Sequence, residues 1–419
     1  HQAIAHEGCI ISGNALADDH TVLIGQHDRQ NTLFDLRDNA HGQTAFPVLP
    51  IQRQKYQSAS RNCFLIPPEQ VRTLQKLRPI LPLLRSRQRL LGNLSVIQAK
   101  FCQKPRDTAG SLSPLFPQRC FWQNFGSKGC FENMEKMVHT AFDLGITHFD
   151  LANNYGNPYN GSAEENFGRI LDGMRQYRDE MCISTKAGFE MWDGPYGDRN
   201  GSRKYLTASL DQSLKRMKLD YVDIFYHHVF DPNTPLEETA LALDNAVKQG
   251  KALYVGISNY NKAQTEEIMG IFKELHTPFI VNQPSYSMLN RWVEDDGLDD
   301  FAYENGIGLA VFSPLYQGFL TDKYLKGVPA DSRVGRGETW IGNQLDDKMI
   351  SRLNALNDIA AKRGQKLSQM ALSWVLSNKA VATVLIGASR PEQIIENAAC
   401  IEKLDFTDEE KAEIRRILG

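Results

Sequence analysis

The chain has 419 residues, 42% of them hydrophobic, 23% charged and 9% aromatic, with a formal net charge of −3. That composition excludes a wholly disordered, collagen-like or disulfide-scaffold protein, and the length allows one large α/β domain with an appendage or two to three smaller ones. No run approaches the roughly 18 apolar residues of a membrane span, and the seven cysteines form no CxxC pair, so a soluble, cytoplasmic protein with reduced thiols and no membrane partner is expected.

Charge divides the chain. Residues 1–120 hold 15 basic and 8 acidic residues, net +7, without Trp or Met, whereas the other 299 carry a net charge of −10. Residues 1–113 are expected to be an irregular or disordered N-terminal segment. Their basic, Leu-rich stretch 74–91 is broken by Pro79 and Pro82, which helices tolerate badly. No stacking motif or recognition helix accompanies the arginines, so no nucleic-acid partner is expected. Beginning at His1 and lacking methionine, the segment also reads as a spurious upstream translation. Residues 114–419 are expected to form the folded domain.

Within that domain, β-branched or aromatic runs at 147–151, 181–186, 221–226, 252–257, 279–283, 308–312 and 382–386 read as strands. Helical patterns lie at 132–144, 162–177, 205–217, 237–249, 263–275, 296–305, 351–363 and 368–377. Strands alternating with helices imply right-handed βαβ units and a parallel sheet. An open doubly wound sheet would carry a Gly-rich phosphate loop after its first strand, and neither GxGxxG nor GxxxxGK[ST] occurs. The expected fold is therefore a (β/α)8 TIM barrel. Its first strand is poorly recognisable and should fall at 114–123, where Pro117 and Arg119 disfavour an interior strand.

Reactive side chains of such barrels emerge at the C-terminal strand ends. The first clear strand leads into Asp150 and Tyr155, the next ends in Lys186, and the third runs into His227 and His228. A phenol ordinarily titrates near 10, and a neighbouring ammonium lowers that by favouring phenolate. Lys186 can supply the ammonium, with Asp150 holding it charged and oriented. His228 would then hydrogen-bond a substrate oxygen while Tyr155 donates a proton to a carbonyl being reduced. The scheme needs no metal, and by position His227 has as good a claim as His228.

These residues carry a resemblance. From residue 141 to 419 the chain resembles the aldo-keto reductase superfamily, whose Asp-x4-Tyr, strand-end Lys and strand-end His correspond to Asp150, Tyr155, Lys186 and His228. The runs 161–168, 184–188, 201–215, 221–226 and 388–397 are most similar to bacterial L-glyceraldehyde-3-phosphate reductases and to β subunits of voltage-gated potassium channels. The resemblance implies NADPH-dependent reduction of an aldehyde or ketone, with glyceraldehyde 3-phosphate or a related small carbonyl compound as substrate, in a homo-oligomer. It assigns the carboxamide to Ser258, Asn259 and Gln283 and a nicotinamide-stacking ring to Phe312. Phosphate and adenosine contacts are implied for Ser313, Leu315, Gly387, Ser389, Arg390, Gln393, Glu396 and Asn397.

Two other readings follow from the same kinship. One is a channel-subunit-like regulatory protein that binds the dinucleotide; those subunits carry Asn where this chain has His228, and His favours turnover. The other is a damaged reductase lacking a complete barrel. For the substrate pocket, the segments 191–203 and 316–344 are expected to form walls, with Trp192, Tyr196 and Trp340 as candidates.

Overall fold

The computed structural model describes residues 130–156, 160–192, 198–330, 332, 334–337 and 341–419, together with the backbone of 5–6, 9–10 and 119–122. The chain divides into two compact units, His1–Leu84 and Arg85–Gly419. In the first, the described backbone is one antiparallel pair, Ala5–His6 against Cys9–Ile10. Otherwise the expectation for residues 1–113 lies outside the described residues.

In the second unit, eight parallel strands close into a barrel. The strands are β1 (Arg119–Trp122), β2 (His148–Asp150), β3 (Cys182–Ala187), β4 (Val222–His227), β5 (Ala252–Ser258), β6 (Phe279–Gln283), β7 (Gly308–Val311) and β8 (Val381–Gly387). Between and after them run α1 (Phe131–Asp143), α2 (Ser162–Leu171), α3 (Arg203–Met217), α4 (Leu236–Lys248), α5 (Lys262–Leu275), α6 (Leu298–Glu304), α7 (Asp347–Lys362), α8 (Leu367–Leu376), α9 (Pro391–Ala398) and α10 (Asp408–Leu418). A four-residue helical turn, Trp292–Asp295, precedes α6. No helix of the described residues is long and apolar enough to cross a membrane.

The elusive first strand lies inside the expected stretch. β1 pairs with β8 on one side (Ile386 with Phe121) and with β2 on the other (Phe121 with Phe149). It begins at Arg119, two residues after Pro117 in the sequence. The ring is closed, which corrects the reading of a reductase without a complete barrel. The predicted helix 162–177 is also shorter than expected: α2 stops at Leu171, Gly173 follows, and a 3₁₀ turn covers Arg175–Glu180.

Strand alternation sorts the side chains. Phe149, Ile183, Phe225, Val255 and Ile257 join the core between strands and helices. The opposite set, including Cys182, Ile224, Tyr226, Val281, Ala310 and Leu385, fills the barrel itself. Gly256 makes room there: a Cβ would lie 2.6 Å from the Tyr226 ring and 2.7 Å from Val281. Helix ends are secured locally. Asn261 and Gln264 form a reciprocal capping box on α5, and Thr407 with Glu410 does the same on α10.

Candidate active site

Continuing the inward alternation upward leads straight to the chemistry. The last inward positions are Asp150 on β2, Lys186 on β3, His228 just past β4, Ser258 on β5, Gln283 on β6, Phe312 just past β7 and Gly387 on β8. Because His227 has the opposite parity, it faces the helices. Its Nδ1 lies 2.6 Å from the Tyr260 hydroxyl and its Nε2 3.3 Å from the Asn200 carbonyl. Burial pushes its pKa down to about 4, so it is a neutral packing residue. The equal claim of His227 is thereby corrected, and strand alternation is the sequence signal that separates the two.

Asp150 and Lys186 form a fully buried ion pair, Nζ to Oδ2 2.5 Å, and the same ammonium donates to the Leu151 carbonyl at 2.7 Å. The other carboxylate oxygen accepts from Ser184 Oγ at 2.6 Å and from Gln283 Nε2 at 3.2 Å. Lys186 Nζ also sits 5.2 Å from the centre of the Tyr155 ring. His228 meets that ring edge-on, centroids 5.8 Å apart, and Phe189 also packs edge-on against His228 at 4.7 Å. Burial first, and then the charge of Lys186, hold the His228 imidazole well below its ordinary pKa. Its Nδ1 is buried without a hydrogen-bond partner among the described residues. All four predicted residues therefore converge: a neutral imidazole and a phenol share one face above a buried ammonium.

The loop carrying Tyr155 is braced from below. Glu164, buried on α2, accepts from Thr185 Oγ1 at 2.5 Å and from Arg216 Nε at 2.7 Å. Arg216 in turn donates to the Asn153 carbonyl at 3.4 Å. At Gly168 a Cβ would come within 2.5 Å of the Arg216 carbonyl oxygen, so glycine lets α2 and α3 approach. Sequence reasoning assigned no part to Ser184, Leu151, Glu164 or Arg216 in this network.

The residues expected to hold the nicotinamide amide lie beside this centre. Ser258 Oγ donates to the Gln283 carbonyl at 2.8 Å. Asn259, in the left-handed region at φ 58°, donates to the His228 carbonyl at 3.0 Å and to Ser258 Oγ at 3.2 Å. Those bonds occupy Asn259 Nδ2 and turn its Oδ1 into an available acceptor, while Gln283 keeps an acceptor oxygen and a second amide proton. A primary carboxamide needs both donors and acceptors, so the set fits one. Phe312 is half-buried against the barrel interior, bridged through its backbone to Ser285. Ser313 follows at φ 54°, and Leu315 packs between the barrel core and the β7–α7 loop.

At the end of β8, Gly387, Ser389 and Arg390 are exposed at the start of α9, whose first residue is Pro391. Gln393 Oε1 accepts from Ser389 N at 2.8 Å, and Asn133 of α1 donates to the Ser389 carbonyl at 3.0 Å. Such a helix N-terminus with an unburied guanidinium suits a phosphate. Glu396 is instead ion-paired with Lys366 at 2.6 Å, and Asn397 is buried on the same helix. Among the candidate pocket walls, Trp192 stacks edge-on with Tyr205, centroids 4.9 Å apart; Tyr196 and Trp340 lie outside the described residues.

Comparison with known proteins agrees with this geometry. Residues 122–418 match the Aldo/keto reductase family. The L-glyceraldehyde 3-phosphate reductase of Escherichia coli strain K12 is 54% identical over 298 residues, covering 70% of this chain and 86% of that protein. A probable voltage-gated potassium channel subunit beta of Oryza sativa subsp. japonica is 35% identical over 286 residues, covering 67% of this chain and 85% of the relative. Among solved structures, a thermostable aldo-keto reductase bound to the inhibitor epalrestat superposes with a TM-score of 0.56 at 27% identity, covering 72% of this chain and 95% of that one. With a closed (β/α)8 barrel, a buried Asp–Lys pair beneath a tyrosine and this match across the barrel, the chain belongs to the aldo/keto reductase family of nicotinamide-dependent oxidoreductases.

Proposed function

We propose that this protein is an NADPH-dependent reductase of small aldehydes, with glyceraldehyde 3-phosphate as the first substrate to test. The observation carrying the reading is the buried Asp150–Lys186 pair under the Tyr155 ring, with His228 against the same ring. The 54% identity to an L-glyceraldehyde 3-phosphate reductase supports the substrate class. Residues 114–419 constitute the reductase barrel in this reading, working as a homo-oligomer in the cytoplasm.

When bound, NADPH supplies the hydride. Ser258, Asn259 and Gln283 would hold its carboxamide, with the ring against Phe312. Ser313, Leu315, Gly387, Ser389, Gln393, Glu396 and Asn397 would line the course of the phosphates and adenosine, and Arg390 offers its guanidinium to a 2′-phosphate. For Glu396 this requires release from Lys366. His228 stays uncharged at neutral pH because burial disfavours its protonation, so it can donate one hydrogen bond to the carbonyl oxygen and polarise it. Tyr155 delivers a proton to that oxygen as negative charge develops. Lys186 then stabilises the phenolate left behind, and Asp150 keeps the ammonium in place.

Tyr155→Phe keeps the ring and removes only the acid. Aldehyde-dependent NADPH oxidation should fall by about a thousandfold or more, while NADPH titrated against protein fluorescence binds with near-native affinity. Turnover within tenfold of the unsubstituted protein would overturn the assignment.

A further inference from the structure

Of the groups bonded to Asp150, Ser184 is itself held by another buried side chain. Ser184 lies directly across the β2–β3 ladder from Asp150 and donates to Oδ1 at 2.6 Å. An alternative acceptor, the Phe149 carbonyl, lies 3.5 Å from the same hydroxyl. His148, one inward position below Asp150 on β2 and fully buried, places Nε2 3.0 Å from Ser184 Oγ.

Proton assignment in this row is forced. A carboxylate that already holds the Lys186 ammonium only accepts, so the hydroxyl proton of Ser184 belongs to the Asp150 bond. Ser184 Oγ must then accept from His148, which requires the proton on Nε2. Burial, aided by the Lys186 charge and opposed by Asp150, pushes the His148 pKa down to about 4, so the ring is neutral and has one proton to give. Among the described residues, the titratable groups facing Asp150 and Lys186 from neighbouring elements are Cys182 on β3, Tyr226 and His228 at β4, and Tyr155 on the loop after β2.

We propose that His148 and Ser184 are positioning residues: a buried relay, His148 Nε2–H to Ser184 Oγ–H to Asp150, that pins one carboxylate oxygen, spreads its charge and so sets the proton affinity of the Lys186–Tyr155 couple. The proposal rests on Tyr155 being the acid. Without Ser184 the charge on Asp150 is held less, the field at the phenol becomes more negative, and the proton is retained to higher pH. In the reduction direction, where activity requires the protonated phenol, the alkaline limb of the kcat profile must therefore move upward.

The test measures kcat against pH for Ser184→Ala, His148→Leu and His148→Gln, with NADPH affinity from fluorescence as a check of folding. Ser184→Ala is expected to lower kcat about tenfold and to move the alkaline limb up by about half a pH unit or more, because a hydrogen bond to a charged group is lost. His148→Leu should give a smaller shift of the same sign, since Ser184 can still donate but is no longer held away from Phe149. His148→Gln, whose amide N–H can replace Nε2–H, should bring the limb back toward the unsubstituted position. A limb that stays in place in Ser184→Ala while NADPH still binds overturns the relay, whether kcat falls or not, and so does His148→Gln behaving as His148→Leu. Failure of the parent reading is read separately, from retained turnover in Tyr155→Phe.

Discussion

At the ends of β2 and β3, Asp150 and Lys186 are shielded completely and held by hydrogen bonds to each other, to Ser184, Gln283 and the Leu151 carbonyl. At the start of α9 the arrangement is the reverse: Arg390 is largely exposed, and its nearest acidic group, Glu392, is 3.7 Å away and itself 72% exposed. The first region has its charges oriented before any ligand arrives, in surroundings where electrostatic interactions are strong. In the second, water solvates the charge, and its pairing with Glu392 is correspondingly weak. Chemistry that creates charge needs the former, whereas holding a phosphate that is charged in both free and bound states needs only the latter.

The sharpest way to break this contrast is Lys186→Met. Loss of the ammonium should lower kcat by about a thousandfold. It should also destabilise the fold by about 3–5 kcal/mol, because Asp150 remains buried and uncompensated. Steady-state kinetics and urea unfolding measure the two effects, and unchanged stability would mean that the pair is not the rigid, dry unit described.

Acid comes next. His148 and His227 titrate at about 4 in the folded chain against about 6.5 unfolded. Between those values the unfolded chain binds more protons, so stability is fully present above about pH 6.5 and is lost as pH falls toward 4, by up to roughly 3 kcal/mol for each ring. Urea midpoints at pH 7, 5.5 and 4.5 should decline in that order, and a flat series would show that the rings are not sealed from solvent.

The smallest effect is expected at the exposed end. Arg390→Ala should weaken NADPH binding about five- to tenfold, leave NADH binding unchanged and leave kcat at saturating NADPH near its original value. Equal weakening of both dinucleotides would shift Arg390 from the 2′-phosphate to the shared pyrophosphate.

Most of the barrel is legible in the amino-acid order because seven stretches declare β-branched or aromatic character, and the helices between them repeat at 3.6 residues. β1 is different. Four residues, Arg119–Trp122, with a proline just upstream, carry too little pattern to stand out, and it is closure between β8 and β2 that makes them a strand. The site candidates were readable for a related reason: strand ends pick out Asp150, Lys186 and the pair His227 and His228, and the contacts of His227 with Tyr260 and Asn200 separate the two histidines.

Residue order fixed the alternation of strands and helices and the approximate strand positions, since those follow from local periodicity. Which inward groups meet depends on the packing of distant segments. Opposing Asp150 and Ser184 is a matter of register between β2 and β3, the bond from Gln283 reaches Asp150 across the closed barrel, and Glu396 finds Lys366 through the packing of α9 near the start of α8. A buried polar group must be satisfied by whatever lies opposite it, and what lies opposite is settled by contacts far apart in the chain.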